Sequence, residues 1–120
     1  HYKITHPVVV SAQHDRRKQR ISDGYDGTLD DRGIKLLKAR AKRCAYCDAR
    51  LDHDSDVQTD HMIALSLGGQ HSRRNVVITC RSCNQRKGHL TYAQWVERVG
   101  PEHRDRVTWL YLERHGKCPW

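Results

Sequence analysis

The chain has 120 residues, of which 37% are apolar and 30% charged, with no phenylalanine and one methionine. That length gives one compact domain with no room for two independent cores, and a core this thin calls for a disulfide or metal staple. Lysine and arginine number 22 against 14 acidic residues, a formal net charge of +8, which points to a polyanion, nucleic acid first, with ordinary solubility as the plain alternative.

No apolar run approaches membrane-spanning length, and there is no signal-peptide pattern, so a cytoplasmic protein with no membrane partner is expected. A start at His1 reads as a processed product or a part of something longer. Residues 1–33 read as an N-terminal arm and connector. The arm carries the basic cluster Arg16-Arg17-Lys18-Gln19-Arg20, and turn residues follow from Ser22. Asp30 or Asp31 is a plausible cap for a helix through about Arg43, with Ile34, Leu37 and Ala41 on one face.

From Cys44 the pattern changes. Cys44–Cys47 fits a knuckle turn, Val57 to Leu65 one strand of a hairpin, Gly68-Gly69 a turn, and Val76–Thr79 a short β-branched strand. Cys80–Cys83 makes a second knuckle leading into a helix from about Ser82 to Lys87, stopped by Gly88. Residues 34–90 form the expected core. Residues 91–120 form C-terminal helices packed on it: Thr91 to Gln94 has capping-box form, and Pro101 opens a further helix carrying Val107, Leu110 and Tyr111. Trp95 and Trp109 are expected in the core.

Cys44-x2-Cys47 and Cys80-x2-Cys83 have the spacing of a tetrahedral zinc site, each pair gripping from a tight turn. Two disulfides or two unrelated thiol pairs are the alternatives, but matched offsets favour zinc and a reducing compartment. Four thiolates close the coordination sphere, so this zinc is structural. Thiolates and ion together contribute −2, leaving a net charge of about +6. Cys118 reads as a bystander.

Between the knuckles lies Thr59-Asp60-His61-Met62-Ile63-Ala64-Leu65-Ser66-Leu67-Gly68-Gly69-Gln70-His71, leading to Asn75-Val76-Val77, and Asn84 follows Cys83 directly. Phosphodiester hydrolysis needs a deprotonated water, charge neutralisation on the phosphate and stabilisation of the departing oxygen. An unperturbed imidazole is neutral near pH 7, so His61 suits the base role. Asp60 and Asn84 offer hard oxygen ligands suited to Mg²⁺ or Mn²⁺. On an ideal strand Asp60 and His61 face opposite ways, so the strand must end or bend there for both to reach one phosphate.

In this order and spacing, residues 44–88 resemble the HNH endonuclease family of ββα-metal nucleases. The resemblance implies an α+β fold: a small ββα-metal core with two zinc knuckles and flanking helices. It implies His61 as general base, Asp60 as the preceding metal ligand, Asn75 as the central asparagine that braces the loop, and Asn84 at the last motif position. There many members carry histidine, and asparagine favours a hard ion. The implied products are 5′-phosphate and 3′-hydroxyl ends, one strand at a time. Arg73, Arg74, Arg81, Arg86 and Lys87 are the candidate nucleic-acid contacts, and His71 a candidate to touch phosphate or brace the loop. The resemblance thus implies a metal-dependent DNA endonuclease or nickase, prokaryotic or phage-encoded, as part of a larger polypeptide or targeting complex in restriction, phage or RNA-guided defence. The alternative is a zinc-stapled nucleic-acid-binding module that does not cut.

Overall fold

A computed structural model describes residues 27–117. Helix α1 (Asp31–Arg40) is followed by strands β1 (Gln58–His61) and β2 (Val76–Thr79), then helices α2 (Arg81–Lys87), α3 (Tyr92–Arg98) and α4 (Pro101–His115). This is the expected α+β class. The basic cluster at 16–20 and Cys118 lie outside the described residues.

Local signals explain most boundaries. The Asp30 side chain accepts a hydrogen bond from the Gly33 amide at 2.8 Å and starts α1. That helix ends at Arg40 rather than Arg43, because Ala41 is already extended and Arg43 bridges to Arg50 across the first knuckle. Thr91 and Gln94 form a reciprocal capping box on α3, and Pro101 opens α4.

The two strands pair antiparallel, with Gln58 opposite Thr79 and His61 opposite Val76. β1 is shorter than the expected Val57–Leu65, and a side chain is the reason. Beyond Met62 the backbone meets the Asn75 amide: the Ile63 N–H donates to Asn75 Oδ1 at 2.9 Å, and Asn75 Nδ2 donates to the Ile63 carbonyl at 2.9 Å. A side-chain amide has replaced the partner strand, so the ladder stops and the chain turns away. It returns through Gly68, at φ +87, and Gly69, where a Cβ would sit 1.8 Å from the Ile63 carbonyl oxygen.

The knuckles lock this hairpin to the C-terminal helices. The Ala45 amide donates to the Ile78 carbonyl at 3.0 Å, and the Cys80 side chain caps α2. One apolar cluster then runs from Cys44, Tyr46 and Cys83 through Trp95 to Val107 and Tyr111. The Tyr46 and Trp95 rings meet edge-on at 5.4 Å, and the Tyr92 hydroxyl donates to the Val107 carbonyl at 2.7 Å. The second zinc knuckle and α4 therefore share a single core.

Trp95 is fully buried as expected, but Trp109 is 70% exposed. The buried residues of α4, Val107 and Tyr111, stand four apart on one face, and Trp109 lies midway between them in sequence, on the far side of the helix. Chemical denaturation should accordingly show Trp95→Ala costing about 3–5 kcal/mol, and Trp109→Ala changing stability by no more than about 0.5 kcal/mol.

Candidate active site and cysteine clamp

The four knuckle sulfurs lie within 4.8 Å of one another, and Cys47 Sγ is 3.8 Å from Cys80 Sγ. Tetrahedral zinc with bonds of about 2.3 Å sets its sulfurs about 3.8 Å apart, so the cluster has the size of such a site. The thiols are also electrically coupled. A hydrogen bond from Cys83 holds the Cys44 thiol down to about 4, against the effect of burial. Burial, with the Cys44 charge added, pushes Cys47 up to about 11. Cys83, which gives its proton to that hydrogen bond, is raised well above an ordinary thiol. A cluster that readily holds one thiolate needs a divalent cation to hold four. The sulfurs fit that ion.

Asp60 and His61 close β1 and diverge. The Asp60 carboxylate turns inward, where Oδ2 accepts from the Tyr46 hydroxyl at 2.5 Å and lies 3.2 Å from the Lys87 ammonium. Oδ1 has a longer contact to the same ammonium, at 3.4 Å. The Lys87 side chain is wholly buried and also donates to the His61 carbonyl at 2.9 Å. Burial pushes the Asp60 carboxyl above the ordinary aspartate range, while Lys87 and Tyr46 pull it back. Tyr46 is raised well above an ordinary phenol by burial and by the Asp60 charge, and so stays a donor. The His61 ring takes the other direction and meets His71, Nε2 to Nδ1 at 2.9 Å.

Despite this divergence, Asp60, His61 and Asn84 border one cleft of about 340 Å³, together with Ser66, Gly88 and His89. The strand ends at His61, which meets the geometric requirement set by the alternation of side chains. His61 and Asn84 also border a second cleft, beside Lys38 and His71. Asp60, whose Oδ1 has one long contact, and the half-buried Asn84 bring hard oxygen donors to the border of the first cleft. They fit a Mg²⁺- or Mn²⁺-type ion that completes its shell from outside the protein. Asn75 lies beneath, 1% exposed, holding Ile63 and, through a 2.7 Å bond, the Gln70 carbonyl.

The candidate nucleic-acid contacts divide. Arg73, Arg74 and Arg81 are exposed. Arg86 is exposed but engaged: it donates to the Arg98 carbonyl at 2.8 Å and lies over the Trp95 ring. Lys87 is the correction, since a buried ammonium bonded to Asp60 and His61 cannot reach a phosphate on the surface. Helical spacing carried that signal, because Lys87 stands four residues after the buried Cys83 and shares its face. Tyr46 and His89 were also missed. Tyr46 sits inside the first Cys-x2-Cys, where burial follows from the fold, and His89 is placed by the turn at Gly88.

Comparison with known proteins shows what this segment is similar to. Residues 44–98 match the family model described as HNH endonuclease. The chain is 28% identical over 82 residues to the CRISPR-associated endonuclease Cas9 of Actinomyces naeslundii, covering 68% of this chain and 7% of that protein. It is 33% identical over 61 residues to the Cas9 of Corynebacterium diphtheriae, covering 50% of this chain and 6% of that protein. The chain thus spans a small fraction of these relatives' length. Among the described residues, no helix is long and apolar enough to cross a membrane.

Two outcomes follow for stability. Lys87→Ala leaves the Asp60 carboxylate buried without its cation and should cost about 3–5 kcal/mol in urea unfolding, whereas Arg81→Ala should change it by no more than about 0.5 kcal/mol. Cys80→Ser, or a strong chelator on the wild type, should release bound zinc and lower the melting temperature; an unchanged melting temperature counts against the clamp.

Proposed function

We propose that this chain, whose residues 44–98 belong to the HNH endonuclease family, is the nuclease domain of a larger CRISPR-associated protein and hydrolyses one strand of DNA with the help of a divalent cation. The observation that carries the reading is the convergence of Asp60, His61 and Asn84 on one cleft, inside the segment that the family model spans. The relatives named Cas9 support the larger context. A net charge of +8 and the exposed Arg73, Arg74 and Arg81 support a polyanionic substrate.

In this reading His61 takes a proton from a water aligned with the scissile phosphorus. The water oxygen bonds to phosphorus, the bond to the 3′ oxygen breaks, and that oxygen leaves and takes a proton from solvent. The products are a 5′-phosphate and a 3′-hydroxyl. Asn75 holds the loop on which the base rests, and Tyr46 and Lys87 fix the Asp60 carboxylate in place from the buried side. A Mg²⁺ or Mn²⁺ ion on Asp60 and Asn84, when bound, supplies charge neutralisation at the phosphate and the leaving oxygen. The cysteine clamp carries zinc and takes no part in the chemistry. One such site cuts one strand, so a double-strand break requires a second nuclease site or a second event.

A supercoiled-plasmid assay tests this. Wild-type protein should nick with Mg²⁺ or Mn²⁺ and not in a chelator. His61→Ala should lose about 10²–10⁴-fold in rate while keeping its melting temperature and DNA affinity. Pure protein that binds DNA but cuts none with any divalent ion would replace this reading with the non-cutting, zinc-stapled binding module.

A further inference from the structure

We propose that the DNA strand runs from the first cleft into the second, where Lys38 of helix α1 binds the phosphate next to the scissile one. This deepens the nuclease reading above and rests on it. It also extends the substrate-binding surface beyond the segment that the family model spans.

Thr59, His61 and Asn84 border both clefts, so the two meet along those residues. A phosphodiester placed at His61 and Asn84 therefore has its neighbours on the strand at the mouths of these clefts. The clefts differ in charge. The first holds Asp60, which the divalent cation occupies in the nuclease reading. The second, of about 460 Å³, has no carboxylate among the described residues that line it, and Lys38 and Gln58 stand on its wall. A polyanionic strand is favoured there, and a phosphate contact at that place sets the strand's position over the centre.

Helix α1 lies outside residues 44–98, yet it is fastened to them. Leu29, just before its cap, is 1% exposed, and the Arg73 amide donates to the Thr28 hydroxyl oxygen at 3.0 Å. Ile34 is half-buried and borders the second cleft one turn before Lys38, so one face of the helix carries both. Lys38 itself is exposed, and among the described residues no carboxylate is paired with it. A long, strongly hydrated ammonium on a fixed helix is suited to a backbone phosphate, which it meets as a point charge.

The test is DNA binding across a salt series with no divalent ion added, so that nothing is cut, followed by nicking kinetics with Mg²⁺ or Mn²⁺. Wild type is compared with Lys38→Ala, Lys38→Arg, Gln58→Glu and, as control, Arg40→Ala. Arg40 is exposed and lies nearly opposite Lys38 on the helix. In K38A the slope of log K against log salt should fall by about 0.9, the share of one phosphate contact. KM should rise with kcat little changed, since the contact is made before and during the reaction alike. K38R and R40A should keep the wild-type slope. Q58E, which sets a carboxylate in the second cleft, should bind DNA more weakly than wild type. A K38A slope equal to that of wild type, an R40A slope lowered as far as that of K38A, or an unchanged Q58E affinity would overturn the role of the second cleft. Binding is read whether or not DNA is cut. A wild type that shows the Lys38 dependence but never nicks therefore sinks the nuclease reading alone, and a protein that nicks while K38A keeps the wild-type slope and KM sinks the role of Lys38 alone.

Discussion

The buried contact among Tyr46, Asp60 and Lys87 is the constraint on which the rest of the site depends. A carboxylate with 6% exposure is costly unless its charge is matched and its lone pairs are occupied. The three groups come from three elements: Tyr46 from the first knuckle, Asp60 from the end of β1, and Lys87 from the last turn of α2. Tyr46 lies between two clamp cysteines, and Lys87 lies one helical turn beyond another. The sulfur cluster therefore sets both partners of the carboxylate, and the clamp and the candidate site share one scaffold. This is how a domain with a thin apolar core holds a charged group in a fixed place.

The same contact shapes the chemistry. An ammonium beside Asp60 offsets much of its negative charge, so the carboxylate alone makes a weak seat for a dication. In the proposed reading, with Asn84 as a neutral companion, the protein would supply little net charge and would leave coordination positions for water and phosphate. A site of that kind gains its ion most strongly when a phosphodiester is present. The hydrogen bond from Lys87 to the His61 carbonyl also ties the backbone of His61 to the carboxylate network. A shift of α2 would move both groups together.

On the opposite face of β1, Asn75 has the corresponding organising role. Its side chain ends the β ladder at Ile63 and pins the loop at Gln70, which brings His71 against His61. Strand alternation, an obstacle to placing Asp60 and His61 at one phosphate, becomes the means of giving them separate supports. The carboxylate is held from inside by the clamp, and the imidazole from outside by the loop. Both still border the cleft because the strand stops there.

Local signals in the sequence were enough for the elements and for the cast of residues. Capping side chains marked α1 and α3, β-branched residues marked β2, and the matched cysteine pairs marked the clamp, because each depends on neighbours in the chain. The string from Asp60 to Asn84 carried the family resemblance for the same reason. What only the tertiary structure decided were the partnerships between distant residues. Lys87 lies beneath the site rather than on the surface, Trp109 faces outward, and His71 meets His61. Those outcomes depend on which face of a helix the core takes and where a loop is pinned. Packing across the whole domain sets both, and no short stretch of sequence encodes them.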